Sequence, residues 1–406
     1  MPDNQTLDSQ ENVLDWPFKR TCPMSVPPEL AELRAQPPCA VRIPEGAVPA
    51  RRAWLVTRHA DVRQALMDPR MSADEGLEGA PVRIQLPPGE RPSSFLRMDP
   101  PEHGRLRTLI TSEFTARRVR TLTPGIQQLI DELLDGLAAQ DRPADLCENF
   151  STRLPTLVIA RLLGVPAERS HEFVALTRVT IGQGDPERSY HAYLELTGIL
   201  RGLIEHKRHE PADDIMSKLA GHVNDGRITV DEAMGVSTLV LVAGHETTTN
   251  QIALSTLSLL LDDSLREEVL ADDGKLLPQY IEESMRYWSI SQDAILRMCL
   301  EDMEVGGVRM AKGDAVVVSI PGGNWDEEVF PDPGRLDVHR DTSEHLQWGI
   351  GPHYCLGAPL ARLEIELALR SLFTRFPGLR LACAREDVPF RRETVFYGLH
   401  GLPVTW

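Results

Sequence analysis

Beyond Pro101, apolar residues recur at helical spacing along most of the chain. Leu106, Leu109, Ile110 and Phe114 share one helical face, as do Ile126, Leu129, Ile130, Leu133, Leu134 and Leu137. The same periodicity predicts helices over Leu154 to Leu163, Arg169 to Thr180, Ser189 to His209, Leu276 to Trp288 and Ala358 to Phe376. The longest runs from about Thr229 to Leu261, where Thr229 and Glu232 form a capping-box pattern at its start. Ahead of Pro101 the pattern changes. Pro17, Pro23, Pro27, Pro28, Pro37, Pro38, Pro44 and Pro49 exclude long helices there, and short strands fit around Val41 and over Trp54 to Thr57. Asp68 to Pro101 reads as a long irregular loop, of a length that in a compact domain belongs to function or to disorder. A strand-rich section from Ala294 to Ile320, a Gly/Pro-rich stretch to Leu356 and a terminal β segment complete the order. No repeat or linker interrupts it. The prediction is one mainly α domain with a smaller β region over residues 1–406, of which 1–15 form a flexible N-terminal segment.

Composition narrows the classes. A chain of 406 residues with 42% hydrophobic and 25% charged residues can build a large core, which excludes disulfide-stapled miniproteins and disordered tails. The net charge of −17 argues against nucleic acid or an anionic membrane as partners of the whole surface. The first residues lack the basic and apolar regions of a signal peptide. The most apolar stretch, Val236 to Leu261, is broken by His245, Glu246 and Asn250, so no membrane span is predicted. Six cysteines (Cys22, Cys39, Cys147, Cys299, Cys355 and Cys383) show no CxxC spacing, and a reducing cytoplasm is the expected location.

Candidate chemistry concentrates in a few segments. Trp348-Gly349-Ile350-Gly351-Pro352-His353-Tyr354-Cys355-Leu356-Gly357 runs directly into a helix. Its glycines permit tight turns around Cys355, and the helix amides just beyond favour a thiolate, a soft and strongly donating iron ligand. An isolated cysteine of this kind is more often buried and inert. Ala243-Gly244-His245-Glu246-Thr247-Thr248 sits mid-way along the longest helix. Small residues and threonines serve close packing there, but a carboxylate beside a hydroxyl in an apolar helix is also what moving protons requires. Position 249 is threonine, so the HExxH zinc pattern is incomplete. Glu283 and Arg286 form an ExxR pair, by itself a surface ion pair worth at most about 1 kcal/mol.

Together and in this order, these motifs resemble the cytochrome P450 family from roughly Trp16 to Trp406, particularly its soluble bacterial members acting in actinobacterial secondary metabolism. The resemblance implies the P450 fold, with haem b (iron protoporphyrin IX) between the long central helix and the Cys355 loop with its proximal helix. Cys355 would be the axial thiolate, and Ala243 and Gly244 would line the haem. Glu246 and Thr247 would deliver protons as O2 is activated. His103, Arg107, Arg297 and His353 match the positions that anchor haem propionates, and Glu283, Arg286 and Arg340 match a buried structural triad. Trp348 replaces the usual phenylalanine of the ligand loop, and Trp325 replaces an arginine in the segment after the ExxR helix.

The implied activity is a monooxygenase that oxidises, most readily by hydroxylation, a small hydrophobic natural product. Ferredoxin and ferredoxin reductase would supply electrons, docking near Arg105, Arg107 and the Arg117, Arg118 and Arg120 run, the local basic exception in an acidic chain. Pocket walls are expected at Val82, Ile84, Val242, Ile290, Gln292, Asp293, Val395 and Phe396. Gln292 and Asp293 either meet a substrate amide or amine or face water. Two rival classes share these motifs wholly or in part: an oxidative coupling enzyme that joins aromatic or cyclic-peptide substrates without inserting oxygen, and a non-catalytic haem sensor, which needs neither Glu246 nor Thr247.

Overall fold

The structure is a computed structural model that describes residues 7, 13–43, 52–81, 94–181, 186–293, 295–392 and 395–406. Helices dominate it, and their bounds follow the apolar periodicity closely: Glu102–Thr111, Thr123–Ala138, Arg153–Leu163, Ser170–Ile181, Pro186–Lys207, Val230–Leu261, Leu277–Trp288 and Ala358–Arg375. The central helix, Val230–Leu261, starts at the capping box. Thr229 Oγ1 accepts from the Glu232 amide at 3.1 Å, and the Glu232 carboxylate accepts from the Thr229 amide at 2.7 Å. This helix packs against Arg153–Leu163, Pro186–Lys207 and the proximal helix, Ala358–Arg375, and its residues are buried on nearly every side. Several short helices escape the periodicity argument; among them, His59–Met67 and Ile215–Asn224 carry His59, Asp61 and Ser217 on their buried sides, which interrupts the apolar pattern.

A six-stranded sheet lies at one side, in the order Leu14–Asp15, Cys39–Arg42, Arg52–Val56, Ala315–Val318, Leu296–Cys299, Met71–Ser72. Leu14 and Asp15 pair in parallel with Val41 and Arg42, so the end of the segment expected to be flexible is a strand. Alternation along Arg52–Val56 sends Ala53 and Leu55 into the main helical core, and Trp54 and Val56 into a second cluster with Val62, Leu66, Val316 and Val318. Both faces of the sheet are thereby buried. Arg297 pairs in register with Val316 and shares its strand face with Cys299, which sets a guanidinium beside the second cluster.

Candidate active site

The Cys355 loop is shaped by backbone before side chains. Gly349 and Gly351 adopt φ of 68° and 74°, and a Cβ on Gly351 would meet the Leu66 carbonyl at 3.4 Å. Gly357 differs from expectation: its φ of −80° is ordinary backbone, so the turn does not depend on it. The Cys355 amide donates to the Trp348 carbonyl at 2.8 Å, closing the loop onto itself. Burial pushes the Cys355 thiol up, and the Gly357 and Ala358 amides together with Arg107 and Arg362 pull it back toward the thiolate.

Behind the loop, charge is tightly paired. Glu283 and Arg286 are fully buried and bidentate, at 2.7 and 2.8 Å, which overturns the surface-pair reading of this motif. Arg340 Nε reaches Glu283 Oε1 at 3.2 Å, and Arg286 also donates to the carbonyls of Asn324 and Pro333 at 3.0 and 2.9 Å. Trp325 donates through its indole to the Tyr287 carbonyl at 2.9 Å, so it touches the ExxR helix and nothing catalytic. Trp348 donates its indole N–H to Glu282 Oε2 at 3.0 Å.

A second cluster forms where the helix Glu102–Thr111, the strand Leu296–Cys299 and the Cys355 loop converge. The rings of His103 and His353 lie 4.4 Å apart, and Arg297 stands with His353 on a cavity of about 150 Å³ also lined by Leu66, Leu96 and Ile350. Burial and neighbouring cations push His353 down to about 4, and burial brings Arg297 down to about 10. Among the described residues His103 Nε2 is buried without a partner and no carboxylate forms an ion pair with Arg297, whose Nη1 donates to the adjacent Leu296 carbonyl at 2.8 Å. Arg107 donates to the Tyr354 carbonyl at 2.6 Å, which aims it at the Cys355 loop.

On the central helix, burial is interrupted on one stripe only. Leu239, Val242, Ala243, Glu246 and Thr247 are partly or well exposed in the middle of a helix otherwise buried from Ala233 to Leu259, Gly244 excepted. Their spacing of three and four puts them on a single face. Gly244 lies off it against Ile159, whose Cδ1 a Cβ would meet at 2.6 Å, so this glycine serves helix packing. Thr247 Oγ1 donates to the Ala243 carbonyl at 2.8 Å, leaving its lone pairs free to accept. Burial raises the Glu246 carboxyl, and Arg391, 3.4 Å away, lowers it. His245, turned to the other side, bonds Thr156 at 2.5 Å and is pushed down to about 4 by burial.

The residues expected to line a pocket have differing surroundings. Val82 and Ile84 lie outside the described residues. Ile290 is fully buried, and its carbonyl accepts from the Tyr397 amide at 2.8 Å. Gln292 and Asp293 are buried and bonded within the protein, which sets aside the reading that they face water: Arg20 donates to Gln292 Oε1 at 3.2 Å, and the Trp16 indole donates to Asp293. Val242 and Val395 remain accessible, and Phe396 is half-buried. The basic run is also smaller than its sequence suggests. Arg105 pairs with Glu102 and Glu232, and Arg118 pairs with Glu113 and Asp213. Arg117 and Arg120 stay exposed with no ion pair among the described residues.

Residues 196–389 match the family model described as Cytochrome P450. The chain is 40% identical to cytochrome P450 GfsF of Streptomyces halstedii, over 98% of each protein. The chain belongs to the cytochrome P450 family. Nocardicin C N-oxygenase of Nocardia uniformis subsp. tsuyamanensis is 42% identical over 96% of this P450 and 98% of that protein. The crystal structure of cytochrome P450 MoxA from Nonomuraea recticatena aligns with a TM-score of 0.90 at 38% identity, covering 97% of this P450 and 98% of that chain. This P450 is therefore an oxidoreductase of the monooxygenase type with the P450 fold. No described helix is long and apolar enough to cross a membrane.

The family implies a haem-thiolate cofactor, and the residues of this P450 fit one. The orphaned Nε2 of His103 and the guanidinium of Arg297, which has no carboxylate in an ion pair with it among the described residues, are the donors that carboxylates such as propionates require, and Cys355 offers a sulfur already surrounded by amides and cations. Arg391, Glu282, Thr156 and Arg20 carry much of the site's polar network and escaped the sequence reading. Each meets its partner across 80 to 272 positions (Arg362 to Glu282, His245 to Thr156, Asn250 to Arg391, Gln292 to Arg20), beyond the reach of any local motif.

Proposed function

We propose that this P450 holds haem b through Cys355 and oxidises a small hydrophobic natural product with O2 and electrons from a ferredoxin and its reductase in the cytoplasm. Haem iron bound through a thiolate supplies reductive activation of O2 and insertion of oxygen into substrate. His103, Arg297 and His353 would hold the propionates, and Arg107 would join them once released from the Tyr354 carbonyl. The observation that carries the reading is the acid and alcohol, Glu246 and Thr247, on the exposed stripe of the central helix.

Thr247 commits its proton to the Ala243 carbonyl, so on the exposed stripe its oxygen would act as an acceptor that orients a protonated group. Glu246 is raised by burial and restrained by Arg391, a balance suited to taking a proton from water and releasing it again. Val242 and Val395 present apolar surface to substrate. The curated relatives include pentalenic acid synthase and vitamin D3 dihydroxylase, names that denote hydrophobic products or substrates of those proteins. Arg117 and Arg120, exposed and without an ion pair among the described residues, are cations that an acidic ferredoxin would meet, and reduction should weaken as salt rises.

Screening hydrophobic metabolites for a spin-state shift identifies the substrate, and turnover in labelled O2 with a surrogate ferredoxin tests the chemistry. Label in the product is expected; an unlabelled coupled product would overturn oxygen insertion, and no turnover with a bound ligand would favour a sensor. Thr247→Ala should raise hydrogen peroxide release at the expense of product, and unchanged coupling would remove Thr247 from the relay.

A further inference from the structure

Trp348 brings a donor to the ligand loop that a phenylalanine lacks. A hydrogen bond to a ligating sulfur withdraws electron density and raises the reduction potential of the iron it binds. The structure shows where this donor goes instead. Trp348 Nε1 donates to Glu282 Oε2 at 3.0 Å. Arg362 grips the same carboxylate from the proximal helix, Nε to Oε1 at 2.6 Å and Nη2 to Oε2 at 2.9 Å, and His345 reaches Oε2 at 3.0 Å. The Arg362 guanidinium also covers the Trp348 ring, 4.5 Å from its centroid. Carboxylate at the edge and guanidinium on the face fix the indole in two directions. The Trp348 carbonyl in turn receives the Cys355 amide, so an indole held this way also holds the backbone of the ligand.

We propose that Glu282, braced by Arg362, is a positioning residue that draws the Trp348 N–H away from the Cys355 sulfur and so keeps the haem reduction potential low. The inference rests on Cys355 as the axial ligand. Glu282 acts in two separable ways: as an acceptor that occupies the indole N–H, and as a negative charge near the sulfur. Glu282→Gln removes the charge and keeps an acceptor; Glu282→Ala removes both and frees the N–H.

The experiment is spectroelectrochemical titration of the haem-loaded full chain for wild type, Glu282→Gln, Glu282→Ala, Trp348→Phe and the two double variants with Trp348→Phe. The C–O stretch of the reduced carbonyl complex serves as a second readout of sulfur donation. Glu282→Ala should raise the potential more than Glu282→Gln, and that difference should vanish in the Trp348→Phe background. Trp348→Phe alone should leave the potential near wild type. A fall in Trp348→Phe would show that the indole already bonds the sulfur and would overturn the proposal. So would equal shifts in Glu282→Ala and Glu282→Gln, which would leave only the charge. If Glu282→Ala does not fold, Glu282→Leu, which likewise removes the acceptor and the charge, takes its place in both backgrounds. Failure of the axial-ligand reading is distinguishable, because wild type would then lack the reduced carbonyl spectrum of a thiolate-bound haem.

Discussion

The proximal and distal sides of the haem site are built on opposite principles. On the proximal side the two neighbouring carboxylates of the ExxR helix each have several partners. Glu283 receives Arg286, Arg340 and the Asp337 amide, and Glu282 receives Arg362, His345 and Trp348. On the distal side partners are few. Glu246 meets Arg391 at 3.4 Å, and Arg391 Nε, Asn250 Nδ2 and Thr249 Oγ1 are buried with no hydrogen bond among the described residues. A saturated network has one arrangement, whereas an unsaturated one leaves donors and acceptors for water, substrate and protons. The axial sulfur proposed for Cys355 would need to be held in place, which suits the first; the proton path proposed through Glu246 and Thr247 would need to change partners, which suits the second.

The largest effect should come from breaking the saturated side. Arg286→Met leaves Glu283 charged in a fully buried site, and loss of one partner of such a pair costs about 3 to 5 kcal/mol. Denaturant unfolding of the haem-loaded protein measures it, and a loss under about 1 kcal/mol would deny the triad its structural role.

The next effect tests the helix that both sides share. His245 is held at about 4 in the folded chain against 6.5 when free. As pH falls from 6.5 toward 4, the unfolded chain gains a proton that the folded chain refuses, so stability drops, by up to about 3 kcal/mol. His245→Asn should flatten this part of the pH profile of unfolding, and an unchanged slope would place the titration elsewhere.

Arg391→Gln should do least to stability, about 1 kcal/mol, because both partners keep some solvent. Its mark should be functional. Arg391 lowers the Glu246 carboxyl, so its removal raises that carboxyl further and moves the acid limb of coupling to higher pH. A pH profile of coupling that does not move would separate Arg391 from the proton path.

The sequence made the two sides unequally legible. Cys355, the ExxR pair and the central helix lie in contiguous motifs or regular periodicity, and the helix bounds fall within a few residues of expectation. The Glu282 network and Arg391 are assembled from distant segments, and nothing local in Arg391 or Trp348 states which carboxylate each will meet. Gln292 and Asp293 misled for a related reason. Polar residues in a loop suggest substrate or solvent, but Trp16 and Arg20 of the N-terminal segment cover them. The Arg105 and Arg118 charges looked free for the same cause, since Glu232 and Asp213 come from other elements.

The capping box at Thr229 acts as a ruler's zero mark. Glu232 is fixed twice, by the Thr229 amide and by Arg105 on the helix that carries His103, so the origin of the central helix is tied to the cluster of His103, His353 and Arg297. At 1.5 Å per residue, Thr247 then stands about 27 Å along the axis. Inserting or deleting one residue anywhere between would swing Glu246 and Thr247 about 100° around the helix. The distance to the start, more than the identity of the intervening residues, decides which way the acid and alcohol face.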